Sequence, residues 1–331
     1  MEFYISVKEY LKTIIPYPLI NFKRVLGKYL HTARLNFNVI ISTPVYYIFI
    51  MKSNKYLLCR PRGGLNDMLN QLELCCRYSI KYHRKLYIDT SKSGFLDSLD
   101  NYFILPLYIS AKKIDFIQYP ASVYPGCLQN DIYNYESERI DYGYRIKNGP
   151  NLDFDFKKKY KEQYLVHEKE GGGKDSFYFL KRICLKEAIR SRIASIVNDL
   201  GDYAAVHIRN TDYQTDYQKF LMAIFNNLSF DKIVVCTDDY AVQQYSKSLF
   251  GEKLKIITEI PNLEGKPLHN NPSLDRYKTN IDALTDLFIL VFSNKLYFKR
   301  TKNDLRFSGF SMLAMNLHKN KKLAKKLLQI H

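Results

Sequence analysis

The sequence predicts an α/β protein built on parallel sheets, because two stretches of the chain alternate short apolar runs with amphipathic segments. The first stretch covers residues 56–88 and the second covers residues 203–317. The short runs are rich in β-branched residues, as strands are, whereas the longer segments repeat their apolar residues at helical spacing. Units of strand, helix and strand build parallel sheets, and such sheets bind ligands at the carboxyl ends of their strands.

The first unit begins with a buried strand at residues 56–59 and continues through a turn at residues 60–64 that contains two glycines. Residues 66–83 are predicted to form a helix because their apolar side chains fall on one stripe. Residues 86–88 then form a second strand. The stripe consists of Leu69, Leu72, Cys76 and Ile80.

The middle of the chain is predicted to be less regular. Residues 115–150 are rich in Tyr, Pro, Gly and Asn, and residues 157–176 contain three consecutive lysines and three consecutive glycines. The second of these segments indicates a linker or a mobile loop. Residues 177–197 return to a helical pattern.

Predicted strands and helices alternate more regularly in the second unit. Two α/β halves joined by a loop-rich middle imply a cleft between them, so functional residues are expected just after each strand. Strands are predicted at residues 203–208, 232–236, 254–258 and 295–298, and helices at residues 216–226, 241–250, 280–292 and 309–317.

Composition limits the class of protein. An apolar content of 46% and a charged content of 25% exclude wholesale disorder. Fifty Lys and Arg residues against 33 Asp and Glu give a net charge of +17, which favours nucleic acid, an anionic membrane or a phosphorylated ligand as partner. We expect no secretory signal, no spanning helix, no zinc site and no disulfide framework, and therefore a cytosolic protein.

Polar residues open the first predicted helix. Gly64, Asn66 and Asp67 follow the first strand, at a position where free backbone amides attract anions. The turn matches neither of the common nucleotide-binding glycine motifs, and a plain strand-to-helix turn explains it equally well.

The strand at residues 203–208 and the strand after it also end in polar residues. His207 and Arg209 share one face, and a guanidinium at this place can bind a phosphate with two parallel hydrogen bonds. Asp212 is suited to orienting Arg209 or to binding a sugar hydroxyl. Asp238 and Asp239 follow the next strand, where capping a helix and binding a ligand are equally good interpretations.

Two further groups lie on the last predicted helices. Asp282 and Asp286 share one face of an apolar helix, where each carboxylate needs a partner, either a nearby Lys or Arg or the N–H groups of a base. Ser308 is a natural helix N-cap, and together with Phe310 and Ser311 it also forms a candidate phosphate site.

In their order along the chain, these motifs resemble those of the fucosyltransferase-like glycosyltransferases. That group includes bacterial α-1,2-fucosyltransferases, rhizobial nodulation α-1,6-fucosyltransferases and protein O-fucosyltransferases. The resemblance extends roughly over residues 56–318. The motifs are R-G-G-L-N at 62–66, H-I-R-x-x-D at 207–212, T-D-D at 237–239, D-x-x-x-D at 282–286 and S-G-F-S-x-L-A at 308–314.

The resemblance implies a GT-B fold, in which two Rossmann-like domains face each other across a cleft that holds the nucleotide-sugar. It implies an inverting transfer of fucose from GDP-fucose to a glycan, with no metal and no further cofactor, in the synthesis of bacterial O-antigen or capsule. The implied division is an extension at residues 1–50, an acceptor-side domain at 51–185, a nucleotide-sugar domain at 186–318 and a basic tail at 319–331.

The resemblance also implies roles for single residues. Arg209 would bind the donor diphosphate with His207 beside it, and Asp286 would face the guanine. The other implied donor-site residues are Ser308, Phe310 and Ser311 for phosphate and nucleoside, Asp238, and Gly64 and Asn66 near the sugar or acceptor; Asp67 and Asp212 are the candidate bases. Residues 209–212 lack the second arginine and the glycine of the usual H-x-R-R-G-D motif, which leaves the donor sugar open.

The sequence also fits three other classes of protein. They are a GT-B transferase with another nucleotide-sugar, a non-catalytic sugar-binding relative and a basic nucleic-acid-binding protein, although no nucleic-acid-binding motif is present. Residues 319–331 have a basic amphipathic pattern, which indicates either docking on the inner face of the cytoplasmic membrane, near a lipid-linked glycan acceptor, or a helix packed across the two domains.

Overall fold

Two sheets with helices packed against them make up the described structure, a computed structural model. The structure describes residue 50 and residues 52–329, except for 115–121, 142, 212–213, 265–267, 269–270, 272 and 301–306. From Ile50 onward the chain forms one compact unit. The predicted extension therefore lies outside the described residues apart from Ile50, and the predicted boundary at residue 185 stays a prediction.

The helices and strands are numbered here in chain order. The strands are β1 (Tyr56–Pro61), β2 (Lys85–Ile88), β3 (Phe103–Ile104), β4 (Ile109–Ser110), β5 (Val123–Tyr124), β6 (Ser137–Ile140), β7 (Gly143–Ile146), β8 (Tyr164–Lys169), β9 (Cys184–Leu185), β10 (Ala204–Ile208), β11 (Ile233–Thr237) and β12 (Lys295–Phe298). The helices are α1 (Leu65–Lys81), α2 (Ser176–Leu180), α3 (Glu187–Leu200), α4 (Tyr217–Asn226), α5 (Tyr240–Phe250), α6 (Arg276–Phe292), α7 (Gly309–His318) and α8 (Lys321–Leu328).

The first sheet has the strand order β4-β2-β1-β8-β7-β6, with β5 also paired to β8. Strands β4, β2, β1, β8 and β5 run parallel, whereas β6 and β7 form an antiparallel hairpin at one edge. Strand β8 lies at the centre, and its first five residues are buried. The prediction of a linker over residues 157–176 is wrong, because this segment contains β8. The second half of this strand, His167 to Lys169, is polar, so the sequence lacks the continuous apolar run of a buried strand.

The second sheet has the strand order β11-β10-β12, and its pairs are parallel. The predicted strand at residues 254–258 is reduced to a single bridge between Leu254 and Ile233. The side chain of Gln243 explains this difference: it donates to the Thr258 carbonyl at 2.8 Å and accepts from the Ile260 amide at 3.1 Å. These backbone groups therefore pair with a side chain of α5 instead of a neighbouring strand.

The helix predicted over residues 177–197 is divided in two. Helix α2 ends at Leu180 and α3 begins at Glu187, and β9 between them pairs with β3. Ile183 and Leu185 are fully buried there, so an extended segment fills the core better than a continued helix with one apolar stripe. The other predicted helices and strands of the two units are confirmed to within a few residues at their ends.

One hydrophobic core joins the two sheets through α1, α6, α7 and α8. Helix α8 supplies Ala324, Leu327 and Leu328 to this core, all at most 2% exposed. The apolar side of the basic tail therefore packs inside the protein, as one of the two interpretations of its pattern expects. In the described part of the chain, no helix combines the length and apolarity needed to cross a membrane.

Removing buried volume from α8 tests this packing. We expect Leu327→Ala to lower the free energy of unfolding by about 2–5 kcal/mol, because it leaves a cavity in the core. Urea denaturation measures this loss. The exposed Lys322→Ala on the same helix serves as control, and we expect its effect to stay within about 0.5 kcal/mol. A Leu327→Ala protein as stable as the control would contradict a packed tail helix.

Candidate functional site

The amino ends of α1 and α7 meet at the carboxyl edges of the two sheets. A Cβ atom on Gly309, the first residue of α7, would lie 3.2 Å from the Cβ of Asn66 in α1, so the missing side chain is what allows this approach. Helix amino ends carry unpaired N–H groups and partial positive charge. Two such ends side by side form a favourable place for an anion.

Strand β10 is tied to the amino end of α7 by a chain of hydrogen bonds. Ser308 caps α7, with its Oγ 3.1 Å from the amide of Ser311. The two serine hydroxyls are 3.0 Å apart, and Nδ1 of His207 lies 2.7 Å from Oγ of Ser311. The ring of Phe310 lies over the imidazole, with the ring centres 5.0 Å apart. Four residues that the motifs single out are thus brought together.

His207 is neutral under ordinary conditions. Burial lowers the pKa of His207 to about 3, and the neighbouring charge of Arg209 acts in the same direction. A neutral imidazole cannot donate a proton to a leaving group near pH 7. Its role here is to hold Ser311, and hence the first turn of α7, against the end of β10.

Arg209 follows at the end of β10 with its side chain 23% exposed, so the guanidinium reaches the surface of the site. Its Nε lies 3.8 Å from Oδ2 of Asp238. The same carboxylate accepts hydrogen bonds from the Asn210 amide at 2.9 Å and from the Thr211 hydroxyl at 2.7 Å. Asp238 therefore organises the loop after β10, whereas Asp239 caps α5 through its bond to the Ala241 amide.

Asp67 brings a carboxylate to the same place. Its Oδ2 accepts a hydrogen bond from the Gly64 amide at 3.2 Å, within the glycine turn. Burial raises the pKa of Asp67, and the carboxylate of Glu170 adds to the rise, whereas the Gly64 bond and the charge of Arg209 oppose it. The interaction with Arg209 joins the two halves of the site. The other candidate base, Asp212, lies outside the described residues.

The glycine segment at residues 171–173 completes this wall of the site. A Cβ atom on Gly172 would lie 2.4 Å from Nδ2 of Asn66 and 2.9 Å from Oδ1 of Asp67, so only glycine fits there without a shift. Asn70 binds the Gly171 carbonyl at 3.0 Å and fixes the segment on α1. Three consecutive glycines are the only local sign of this contact in the sequence, and they suit a linker equally well, so the contact cannot be predicted from them.

Asp286 stands apart from this group, near the end of β11. Its Oδ1 accepts a hydrogen bond from the Thr258 hydroxyl at 2.9 Å, and burial raises its pKa to about 7. Asp282 on the same helix is instead satisfied by cations: Arg192 at 3.5 Å and Lys278 at 3.4 Å. The two carboxylates of the motif therefore differ, and only Asp286 is deeply buried, with its side chain beside Thr258 and Cys236.

A cavity of about 170 Å³ opens at the same edge of the second sheet. It lies between the loops that follow β10 and β11 and the segment after Ile260. An aromatic ring, an amide and a carboxylate in one small cavity suit a planar polar ligand. The cavity is lined by Thr211, Asp238, Asp239, Tyr240, Ala241, Pro261, Asn262 and Leu263.

The structure has the fold of a fucosyltransferase-like glycosyltransferase, although the sequence matches no family model and no curated protein. The likeness confirms the predicted α/β GT-B fold. The chain is similar to the crystal structure of the fucosyltransferase NodZ from Bradyrhizobium in its selenomethionine form, with a TM-score of 0.54 and 17% identity over 80% of this chain and 92% of that one.

Two further crystal structures of NodZ α-1,6-fucosyltransferase contain the nucleotide or its sugar conjugate. The form co-crystallized with GDP and the form soaked with GDP-fucose each have a TM-score of 0.53 and 16% identity, with the same coverage of 80% of this chain and 92% of theirs. The present chain thus shares its fold over most of both lengths with enzymes studied with these ligands.

The charge state of His207 is a direct test of the site geometry. We expect its imidazole signals to stay those of a neutral ring from pH 8 down to about pH 4, because burial and Arg209 lower its pKa to about 3. The unfolded chain protonates this histidine near pH 6.5, so the contribution of His207 to stability is lost as the pH falls from 6.5 toward 3. Histidine NMR titration, assigned with His207→Asn, measures it. A midpoint near 6.5 would show that His207 is not buried in this contact.

Proposed function

We propose that the protein is a glycosyltransferase that moves a sugar from a nucleoside-diphosphate sugar to a hydroxyl of a glycan, with GDP-fucose as the first candidate donor. The observation that carries this proposal is the close approach of the amino ends of α1 and α7 at the end of β10, where Asp67 and Arg209 lie. The fold shared with NodZ supports it, since that enzyme was crystallized with GDP and soaked with GDP-fucose.

The donor diphosphate is assigned to Arg209 and the first turn of α7. Negative charge grows on the diphosphate as the bond to the sugar breaks. The guanidinium of Arg209 and the first amides of α7, at Gly309 and Phe310, stabilise this charge because they are already oriented before the reaction begins. His207 supports this geometry without changing its own charge. The positive charge that faces the diphosphate comes from groups of the protein itself, so the proposed transfer needs no metal.

Asp67 is assigned to the acceptor hydroxyl. In a single displacement the hydroxyl oxygen attacks the anomeric carbon from the side opposite the diphosphate, so the configuration of the sugar inverts. A carboxylate within reach takes the hydroxyl proton as the new bond forms. Burial and Glu170 make Asp67 more basic than an exposed aspartate, which favours this role. Gly64 and Asn66 lie beside it, where sugar and acceptor would meet.

The nucleoside is assigned to the edge of the second sheet. A guanine offers two adjacent N–H donors, which a buried carboxylate such as Asp286 accepts well. The loop at residues 209–212 differs from the usual motif, so another nucleotide-sugar stays the second candidate donor. Stabilisation of the fold by GDP, compared with UDP, CMP and TDP in thermal shift measurements, distinguishes them.

Attraction to an anionic membrane and a cytosolic location stay predictions. With the apolar side of α8 packed in the core, insertion of that side into lipid is not available to the folded protein. Lys319 and Lys322 remain exposed, and lysines near an anionic surface contribute about 1 kcal/mol each. Membrane attachment of the enzyme would therefore be electrostatic and sensitive to salt. A lipid-linked surface glycan stays the expected acceptor.

Substitution of Arg209 tests the proposed donor site. We expect Arg209→Ala to reduce kcat/KM for sugar transfer by about 10²–10³-fold, because the charge that forms on the diphosphate loses its main partner. Arg209→Lys should recover only part of this loss, since an ammonium cannot make two parallel hydrogen bonds. Release of GDP from GDP-fucose measures turnover. Arg145→Ala, which removes an exposed guanidinium paired with Glu138, is the control and should remain active. Normal turnover in Arg209→Ala would contradict the assignment.

The buried carboxyl group of Asp286 predicts a pH dependence of GDP affinity. Its pKa is about 7, and only the ionised form accepts both guanine N–H groups. We therefore expect GDP affinity to fall by up to about tenfold for each pH unit below 7. The empty protein should show the opposite trend, since a carboxyl pKa raised by folding contributes stability at low pH that is lost as the pH rises through 7.

Isothermal titration calorimetry between pH 5.5 and 8 measures the affinity. In Asp286→Asn the affinity should be lower at pH 8, and the part of the pH dependence that comes from the protein should disappear. The ionisation of the GDP phosphate is common to both proteins and cancels in the comparison. Identical pH profiles for the two proteins would show that guanine does not bind Asp286.

A further inference from the structure

A second group of charged side chains lies at the carboxyl edge of the first sheet, around the fully buried Glu168 of β8. Nε of Arg62 lies 2.7 Å from Oε1 of Glu168, and the Ser137 hydroxyl donates to the same oxygen at 2.6 Å. The Tyr135 hydroxyl donates to Oε2 at 2.6 Å. We call these residues the Glu168 cluster. They join the end of β1 to the β6–β7 hairpin.

Stability alone is a weak explanation for the Glu168 cluster. Burying charged groups costs free energy that their mutual attraction barely returns, so apolar side chains would hold the sheet equally well. Charged networks of this kind are more frequent at binding and catalytic sites. Arg60 adds to the network, because it is 4% exposed, pairs with Asp89 at 2.8 Å and lies over the Tyr135 ring.

Lys92 is a cation of this region for which the described residues provide no ion pair. Arg60 is matched by Asp89, Arg62 by Glu168 and Arg139 by Glu170. The Lys92 ammonium instead lies 5.7 Å from the centre of the Tyr135 ring. Its residue is exposed, so the charge is available to a ligand. Burial of its stem and the charges of Arg60 and Arg62 lower the pKa of Lys92, whereas Glu168 and Asp89 oppose them.

Backbone hydrogen bonds connect the segment of Lys92 to the turn beside the proposed reaction centre. Its carbonyl accepts a hydrogen bond from Nη1 of Arg62 at 3.2 Å. The Gly94 amide donates to the Gly63 carbonyl at 2.7 Å, in the turn that leads directly to Asp67. Residues 92–94 therefore lie against the turn that precedes Asp67, which puts Lys92 on the acceptor side of the proposed site.

We infer that the acceptor is an acidic saccharide, and that Lys92 binds its anionic group beside the Tyr135 ring. The inference rests on the proposed function and names the class of acceptor for the same site. The carboxylate of a uronic acid and the phosphate of a sugar phosphate share the required chemistry, because each places a negative charge on or next to a sugar ring. A neutral acceptor would offer no opposite charge to the Lys92 ammonium, which the guanidinium groups of Arg60 and Arg62 repel.

NMR titration of the GDP-saturated protein tests the inference with two pairs of probes. Trigalacturonic acid is compared with its methyl ester, and glucose 1-phosphate is compared with glucose. Lys92→Met removes the proposed cation. Lys85→Met is the matched control, because Lys85 lies at the amino end of β2 with its ammonium 5.5 Å from the centre of the Tyr56 ring. Each lysine thus makes its own cation–π contact, but Lys85 lies at the amino ends of the strands and Lys92 lies beyond their carboxyl ends.

We expect at least one acidic probe to bind at least about tenfold more tightly than its neutral counterpart. Lys92→Met should reduce this preference to less than about twofold, and Lys85→Met should retain it. The pair that shows the preference identifies a carboxylate or a phosphate as the anion. No binding of either acid, equal binding of acid and neutral probe, or a preference that survives Lys92→Met would overturn the inference. GDP binding to the same sample separates this failure from a failure of the proposed function.

Discussion

The contact between the amino ends of α1 and α7 is the constraint on which the site depends. Gly309 lets the two helices approach, and the bond between His207 and Ser311 holds the first turn of α7 on the end of β10. Each helix alone would offer its amides to solvent. Together, and with Arg209 beside them, they concentrate positive charge at one point between the two sheets, which is what a diphosphate requires.

The negative charge of Asp67 is kept in place by rigid parts of the fold. Asp67 is confined between its own turn and Gly172, and the segment of Gly172 is bound to α1. A carboxylate held in this manner keeps its position within reach of the Arg209 charge. The single core that joins the two sheets through α1, α6 and α7 stabilises this arrangement at long range. Catalytic groups gain from such support because they need not reorganise during the reaction.

Local sequence patterns predicted the α/β class, most elements and the residues that meet at the end of β10. Ser308 and Ser311 are three residues apart and His207 ends a clear strand, so short motifs suffice to find them. The Glu168 cluster escaped prediction because Arg62 and Glu168 are far apart in sequence and meet only through pairing of β1 with β8. Strand β8 itself was missed because the polar residues at its end, which serve the cluster, remove the apolar pattern of a buried strand.

The position of a diphosphate in the folded protein tests the central claim most directly. A crystal structure of the protein with GDP at saturating concentration should show the two phosphates between the guanidinium of Arg209 and the amides of Gly309 and Phe310, with the base toward Asp286. Phosphates bound elsewhere on the protein, or a site that stays empty at saturating GDP, would contradict the claim that the two sheets meet to bind a nucleotide-sugar.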